Sequence, residues 1–154
     1  MRKKAAKHTT LPDPKFGDVT VTKFVNNLMY DGKKSKSFDI FYSAIDMVAE
    51  KTGEDGLEIF RKAIVNVTPQ VEVRSRRVGG ANFQIPQPVR DSRKVSLAMK
   101  WLISYSRKRN ERSMEQKLAN EIMAAAKEEG AAFKKKEEVH KMAEANKAFS
   151  HFRF

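Results

Sequence analysis

A single change of hydrophobic period restricts the fold of this chain more than any other feature. Apolar residues recur at helical spacing along most of the 154 residues, but VEVRSRRVGGANFQIP, residues 71–86, alternates with a period of two and turns at Gly79-Gly80. We therefore predict a β-hairpin over residues 71–89 of an otherwise helical chain. A two-stranded ribbon buries too little apolar surface to be stable alone, so other elements must complete it.

The helical segments are separated by capping and helix-breaking residues. We predict six helices: Thr20 to Tyr30, Phe38 to near Gly53, Leu57 to Val67, the cap Ser92 through Tyr105, the cap Ser113 through Ala125, and Ala131 to about Phe149. The basic stretch 32–37 is predicted to be a link. The expected fold is mainly α, a six-helix single domain over 1–154, with an extended β-hairpin arm (71–89) and a flexible basic N-terminal tail (1–15).

The charge of the chain indicates a polyanionic partner. It has 31 Lys and Arg against 19 Asp and Glu, a formal charge of +12 and a pI near 10.0. Nucleic acid is the leading partner on this basis and an anionic membrane surface the second. The absence of cysteine excludes disulfides and a cysteine nucleophile, and fits a reducing cytoplasm. No apolar run is long enough for a secretory signal or a membrane span, so we expect neither export by that route nor insertion into a membrane. Because the apolar sides of the basic helices have only ordinary core width, we expect no membrane partner.

Catalysis is not indicated by any motif. Gly79-Gly80 lacks the GxxxxGK frame of a nucleotide-binding loop. Glu137, His140 and Glu144 have a spacing that a metal could use on a helix, but a solvated surface is the commoner environment for such a set. We expect no enzyme, no cofactor, no metal and no obligate homo-oligomer.

Basic clusters occur in five differently shaped segments, which favours an extended polyanion. On the fourth helix the cations alternate with small hydroxyls at offsets of 0, 3, 7, 11 and 14, so that one face can approach a phosphate backbone: Arg93, Ser96, Lys100, Ser104 and Arg107. Structured RNA, with its irregular phosphates and splayed bases, suits such a surface better than duplex DNA. Phe83 could stack on a base, although packing against its cross-strand neighbour is the commoner role.

Four stretches of the chain carry a resemblance to a known family: LPDPKFGDVTVTKFVNNLMYDGKKSKSF, IVNVTPQVEVRSRRVGGANFQIP, RKVSLAMKWLISYSRKRNERSMEQKLANEI and HKMAEANKAFSHFRF. They resemble the bacterial form of ribosomal protein seven of the small subunit from Leu11 onward. The resemblance implies six helices with an extended hairpin. It also implies a primary binder of the 3′ major domain of small-subunit rRNA that nucleates head assembly, at the subunit interface near exit-site tRNA and mRNA and beside ribosomal protein eleven and other head proteins.

The resemblance also implies which residues touch RNA. The expected rRNA contacts are Arg2, Lys3, Lys4, Lys7, Lys33, Lys34, Lys36, Arg74, Arg76, Arg77, Arg93, Lys94, Lys100, Arg107 and Arg109. The hairpin tip, Val78, Gly79, Gly80, Ala81 and Asn82, is expected nearest to tRNA and mRNA. The return strand departs from the family pattern with a second proline, and because Pro86 and Pro88 lack backbone donors we expect less regular pairing near the base of the arm.

Three other functions compete with rRNA binding. An architectural DNA-binding protein can also place a basic β-arm on a helical body. An RNA-modifying enzyme would need a cofactor pocket or an acid-base pair, and a peripheral membrane protein would need a wider apolar helix face.

Overall fold

The computed structural model describes residues 9–152, and their architecture is six α-helices around one hairpin, followed by a short 3₁₀ helix. In chain order the elements are α1 (Val19–Leu28), α2 (Lys34–Thr52), α3 (Gly56–Val67), β1 (Val71–Val78), β2 (Ala81–Pro88), α4 (Asp91–Arg107), α5 (Met114–Ala126), α6 (Gly130–Ala145) and the 3₁₀ helix (Lys147–Phe152). The predicted fold class, mainly α with an extended hairpin, is confirmed.

Two predicted boundaries around residue 30 are wrong. Helix α1 ends at Leu28 because Met29 leaves the helical conformation with a ψ of 137°, and Asp31, with a left-handed φ of 52°, then turns the chain before a new helix begins. Helix α2 begins at Lys34, inside the predicted link 32–37, and buries Ser37, whose hydroxyl donates to the Lys33 carbonyl at 3.2 Å. This first turn is polar, so apolar spacing could not reveal it.

Helix caps agree with the sequence at one predicted position and differ at another. The Ser113 side chain accepts a hydrogen bond from the Gln116 N–H at 3.3 Å, as the capping-box pattern predicts. Helix α4, in contrast, starts at Asp91 after Arg90, without a side-chain cap, so Ser92 lies inside the first turn and the prediction that it caps the helix is wrong.

The core forms around three aromatic rings from successive helices. Phe24, Phe41 and Phe60 are fully buried, with ring centroids 5.0–5.5 Å apart. Helix α5 then packs against α2, α3, α4 and α6 with buried small and branched side chains. Fully burying a Phe side chain stabilises a fold by roughly 1.5–3 kcal/mol, so this cluster fixes the relative positions of the first three helices.

The N-terminal segment joins the body inside the predicted tail 1–15. Asp13 is buried and accepts hydrogen bonds from the Phe16 N–H at 2.8 Å and the Tyr42 hydroxyl at 2.6 Å. Burial and the hydrogen bond to Asp13 raise the pKa of Tyr42 to about 12. The chain is therefore attached to α2 from Asp13 onward.

The hairpin pairs in one continuous register, from Val71 opposite Pro88 to Val78 opposite Ala81. The Val89 N–H donates to the Gln70 carbonyl at 3.0 Å, and backbone N–H groups alternate in direction along a strand. The backbone nitrogens of Pro86 and Pro88 therefore point away from β1. Because they do not face β1, their lack of a hydrogen removes no hydrogen bond between the two strands. The expectation of irregular pairing near the base of the arm is wrong for this reason.

The C-terminal segment completes the hairpin. The predicted sixth helix stops at Ala145, and the 3₁₀ helix that follows packs on β2. The Phe83 ring lies 5.2 Å from that of Phe149 and 5.4 Å from that of Phe152. Phe83 is therefore held by residues far away in sequence, a contact that the expectation of cross-strand packing did not include. Along 9–152, no helix combines the length and the apolar character needed to cross a membrane.

Candidate nucleic-acid interface

Helix α4 carries the predicted cationic face along its exposed side. Arg93, Ser96, Lys100 and Ser104 are exposed and Arg107 is half-buried. Fourteen residues of helix separate the first and last of these, a distance of roughly 21 Å at 1.5 Å per residue. The face thus connects the base of the hairpin with the turn between α1 and α2.

A groove between α1 and α4 adds further cations to this face. Its first part, about 560 Å³, lies between Lys23 on α1 and Ser96 on α4, and its second part includes Lys100 and Lys108. Both parts are lined by Asn27, and together they are here called the α1–α4 groove. Lys23 was not predicted as a contact residue, because it is a lone cation on its own helix. Only the packing of α1 on α4 brings it to the groove.

The groove continues into a pit at the turn between α1 and α2. Tyr30 and Arg107 line both the α1–α4 groove and this pit, and the pit also includes Lys33 and Lys36. The Arg107 guanidinium donates to the Leu28 carbonyl at 3.0 Å and lies 3.9 Å from the centre of the Tyr30 ring. Arg107 is therefore held in place, with its charge at the junction of the two cavities.

The hairpin is connected to α4 by Glu72. Its carboxylate lies 2.7 Å from a terminal guanidinium nitrogen of Arg74 and 2.9 Å from Nε of Arg93. Burial opposes ionisation of Glu72, but the hydrogen bonds from Arg93 and Arg74 outweigh it and lower the pKa of Glu72. The two arginines are thereby brought together with part of their charge neutralised.

Arg109 lies in a carboxylate network below the end of α4. Its guanidinium donates to Glu121 and to Glu111, each at 2.8 Å. The Glu121 side chain is fully buried, and its other oxygen accepts the Ala132 N–H at 2.9 Å in the first turn of α6. Arg109 thus neutralises the buried carboxylate of Glu121, and that carboxylate also stabilises the N-terminal end of α6, where the helix dipole is positive.

Glu111 in this network stays ionised to low pH. The hydrogen bond donated by Asn120, and then that from Arg109, lower the pKa of Glu111 to about 2 from its ordinary 4.5. A carboxylate with a lower pKa in the folded than in the unfolded state binds fewer protons when folded, so it stabilises the fold at higher pH.

We expect the contribution of Glu111 to be fully present above about pH 4.5 and to be lost as the pH falls towards about 2. Glu111→Gln should therefore unfold with a flatter pH dependence between these values than the unsubstituted protein. Urea denaturation at pH 6, 4, 3 and 2 measures the difference between the two curves. Parallel curves across this window would show that Glu111 has the same pKa in both states.

The remaining predicted contact residues lie in several environments. Arg76 on the hairpin donates to the Phe152 carbonyl at 3.0 Å, whereas Arg77 is exposed. Lys94 pairs with Asp91 at 2.9 Å, and Lys34 lies 5.8 Å from the centre of the Phe38 ring. Arg2, Lys3, Lys4 and Lys7 fall outside the described residues. At the hairpin tip, residues 79–82 are exposed and Val78 is half-buried.

His140 has a local structural role. Its Nε2 accepts the Gln70 N–H at 3.1 Å, at the start of the hairpin. Burial and then the charge of Lys136 lower the pKa of His140, which favours the neutral ring that can accept this bond. Among residues 9–152, no three His, Asp or Glu side chains are grouped closely enough to hold a metal ion.

Comparison with known proteins gives a consistent result along the chain. The model of the family described as ribosomal protein S7p/S5e matches residues 1–147. The chain is 64% identical over 155 residues to small ribosomal subunit protein uS7 of Cytophaga hutchinsonii, and 65% identical over 158 residues to that of Flavobacterium johnsoniae, covering 100% of each protein in both comparisons. It is 59% identical to the uS7 protein of Marinobacter nauticus over 99% of this chain and 98% of the relative.

Proposed function

Because the chain belongs to the ribosomal protein S7p/S5e family, and is thus a structural component of the small ribosomal subunit and not an enzyme, we propose that it binds small-subunit rRNA directly. The observation that carries this proposal is the α1–α4 groove together with the adjoining pit, which are lined by cations of three helices. Lys23, Lys100 and Lys36 are exposed along it. Such cations replace the counterions condensed on RNA.

The RNA segment that we propose is the 3′ major domain, where binding would nucleate assembly of the head. Two features support a role in assembly. The cationic surface reaches from the hairpin base to the turn at Tyr30, so it can hold separate RNA segments near one another. The contacts among the buried rings of Phe24, Phe41 and Phe60 fix the first three helices relative to one another, so the body can act as a rigid template for RNA. We propose that the ribosome it joins is in the cytoplasm.

The hairpin tip is the part that we propose to lie near exit-site tRNA and mRNA, with ribosomal protein eleven and other head proteins as neighbours. The tip supports this because it turns on Gly79 and Gly80, which have φ of 57° and 89° and no side chains. A backbone without side chains can approach another RNA closely. Arg77, exposed beside the tip, supplies the nearest charge.

The predicted contact residues do not all have the same proposed role. Lys33, Lys36 and Lys100 would meet phosphates directly, because they are exposed at the pit or at the α1–α4 groove. Arg93 and Arg107 would bind RNA while held by Glu72 and Leu28. For Arg109 we propose a structural role, because one of its carboxylate partners, Glu121, is fully buried and the other, Glu111, is half-buried.

A salt titration of binding tests the proposal. The intact protein is titrated with a transcript of the 3′ major domain, an unrelated structured RNA of equal length, and duplex DNA. Tight binding to the first RNA alone at physiological salt is the expected result. Similar affinities for all three, falling together with salt, would contradict site-specific rRNA binding and favour an architectural nucleic-acid binder.

Removing groove charges should reduce the salt dependence of rRNA binding. Log affinity falls with log salt, and each phosphate that a lysine neutralises steepens this fall by roughly 0.7–0.9. We therefore expect the triple variant Lys33→Ala, Lys36→Ala, Lys100→Ala to make the negative slope shallower by roughly 2. The matched control removes three lysines of a separate groove formed by α2, α3 and α5: Lys51, Lys62 and Lys127. An equal change of slope in both variants would show that total charge, and not the α1–α4 groove with its adjoining pit, binds the RNA.

A further inference from the structure

We propose that the pit beside Tyr30 is a binding site for one unstacked base of single-stranded RNA, a site that deepens the proposed rRNA binding and rests on it. The pit lies at the end of the α1–α4 groove, between the turn after α1, the first turns of α2 and the start of α5. Its volume of about 440 Å³ falls within the roughly 300–1,000 Å³ of ordinary small-ligand sites.

The inner surface of the pit is apolar, which suits the face of a base. Leu28, Ile40 and Met114 line it, and Leu28 is 4% exposed. Tyr30 also lines the pit and is 62% exposed, which makes it one of the few exposed large hydrophobic side chains among residues 9–152. Aromatic side chains that remain exposed next to a cationic groove are the surfaces on which bases of single-stranded RNA stack.

The rim of the pit is cationic, which suits the phosphates on either side of that base. Lys33, Lys36 and Arg107 lie around the opening, against one carboxylate, Asp31. A small apolar metabolite would not need three cations, and a free phosphate would not need an apolar interior. A nucleotide within an RNA strand uses both, because its base is apolar on its faces and its backbone is anionic.

Tyr30 is held ready for stacking by its contacts. The Arg107 guanidinium lies 3.9 Å from the centre of the ring, and the same group donates to the Leu28 carbonyl. The turn after Tyr30 is closed by the Lys33 N–H, which donates to the Tyr30 carbonyl at 2.9 Å. With one face of the ring covered by a cation, the exposed part of Tyr30 is available to a base, and little conformational entropy is lost on binding.

The test uses two short RNAs that have the same phosphates and differ in their bases. One is an oligouridylate of about eight nucleotides, a length within the range that single-strand binders cover, and the other carries abasic ribose at its central positions. The full-length protein should prefer the intact RNA by roughly fivefold to 150-fold, the range expected for stacking of one base. Tyr30→Ala should abolish the preference and Tyr30→Phe should retain it.

Two further variants and readouts separate stacking from charge and from folding. Lys36→Ala should weaken both RNAs by the same factor and leave the preference unchanged. The thermal midpoint should be the same for Tyr30→Ala and the unsubstituted protein, because the side chain is largely exposed. Equal binding of both RNAs by the unsubstituted protein, or a preference that survives Tyr30→Ala, would overturn the proposal.

Failure of this site can be distinguished from failure of the proposed function. If the 3′ major domain transcript binds no better than an unrelated RNA of equal length, the rRNA assignment fails whatever the oligonucleotides show. If the transcript binds specifically but the abasic RNA binds as well as the intact one, rRNA binding stands and the base site is wrong.

Discussion

Replacing Arg109 by alanine is expected to lower the free energy of unfolding by about 3–5 kcal/mol, the usual cost of leaving a buried charge without its partner. Glu121 is fully buried, and without the 2.8 Å contact to Arg109 its carboxylate would keep only the Ala132 N–H. Glu111 would lose a donor in the same step. Urea denaturation at pH 7 measures the change.

Arg112 provides the matched control for this substitution, since it is an exposed arginine three residues further along the chain. Arg112→Ala should change the unfolding free energy by no more than about 0.5 kcal/mol, as surface substitutions usually do. Adding Glu121→Gln to Arg109→Ala should recover part of the lost stability, because the buried charge is then removed. If Arg109→Ala is as stable as Arg112→Ala but binds rRNA much more weakly, Arg109 is an RNA contact and the structural role is wrong.

Replacing Gly56 by alanine is expected to cost about 2–3 kcal/mol or more, because α3 begins directly against the backbone of α2. A Cβ at residue 56 would lie within 2.4 Å of the Ile45 carbonyl oxygen and 2.9 Å of Ile45 Cγ2. Ile45 is in the middle of α2 and 3% exposed, so its backbone cannot move without disturbing the helix. A thermal or urea denaturation of Gly56→Ala measures this effect.

Gly53→Ala distinguishes steric overlap from the general effect of losing a glycine. Gly53 ends α2 with a φ of 71°, and a Cβ there would meet no atom within 4 Å. Its substitution should cost only the strain of a left-handed alanine, about 1–2 kcal/mol. A loss for Gly56→Ala no greater than that for Gly53→Ala would mean that α3 can move away from α2 at little cost.

The helices were predictable from sequence wherever one face of the helix is apolar and buried. Phe24, Phe41 and Phe60 each belong to an apolar face of their own helix that points to the common core, and the helical spacing of each face is visible in the sequence. The start of α2 was not predictable, because its first turn contains Lys34 and other polar residues. The change from α6 to a 3₁₀ helix after Ala145 depends on packing against the hairpin, which no local pattern shows.

The cations of the candidate interface were predictable individually, but their neighbours were not. Residue type and helical spacing placed Lys100 on an exposed face of α4. Arg93 pairs with Glu72, 21 positions away in the sequence, and Arg109 pairs with Glu121, 12 positions away. Both pairs form only through tertiary packing. The apolar pit beside Tyr30 likewise exists only where residues of α1, α2, α4 and α5 are brought together.

The outward direction of two proline nitrogens protects the arm from unwanted partners. A two-stranded sheet has two open edges, and an exposed edge can add a strand from another chain and begin aggregation. On the open edge of β2 the N–H positions belong to residues 82, 84, 86 and 88, and Pro86 and Pro88 lack a hydrogen at two of them. In a newly made chain, a strand from another molecule would therefore find two fewer backbone donors along that edge near the base of the arm, which weakens such pairing.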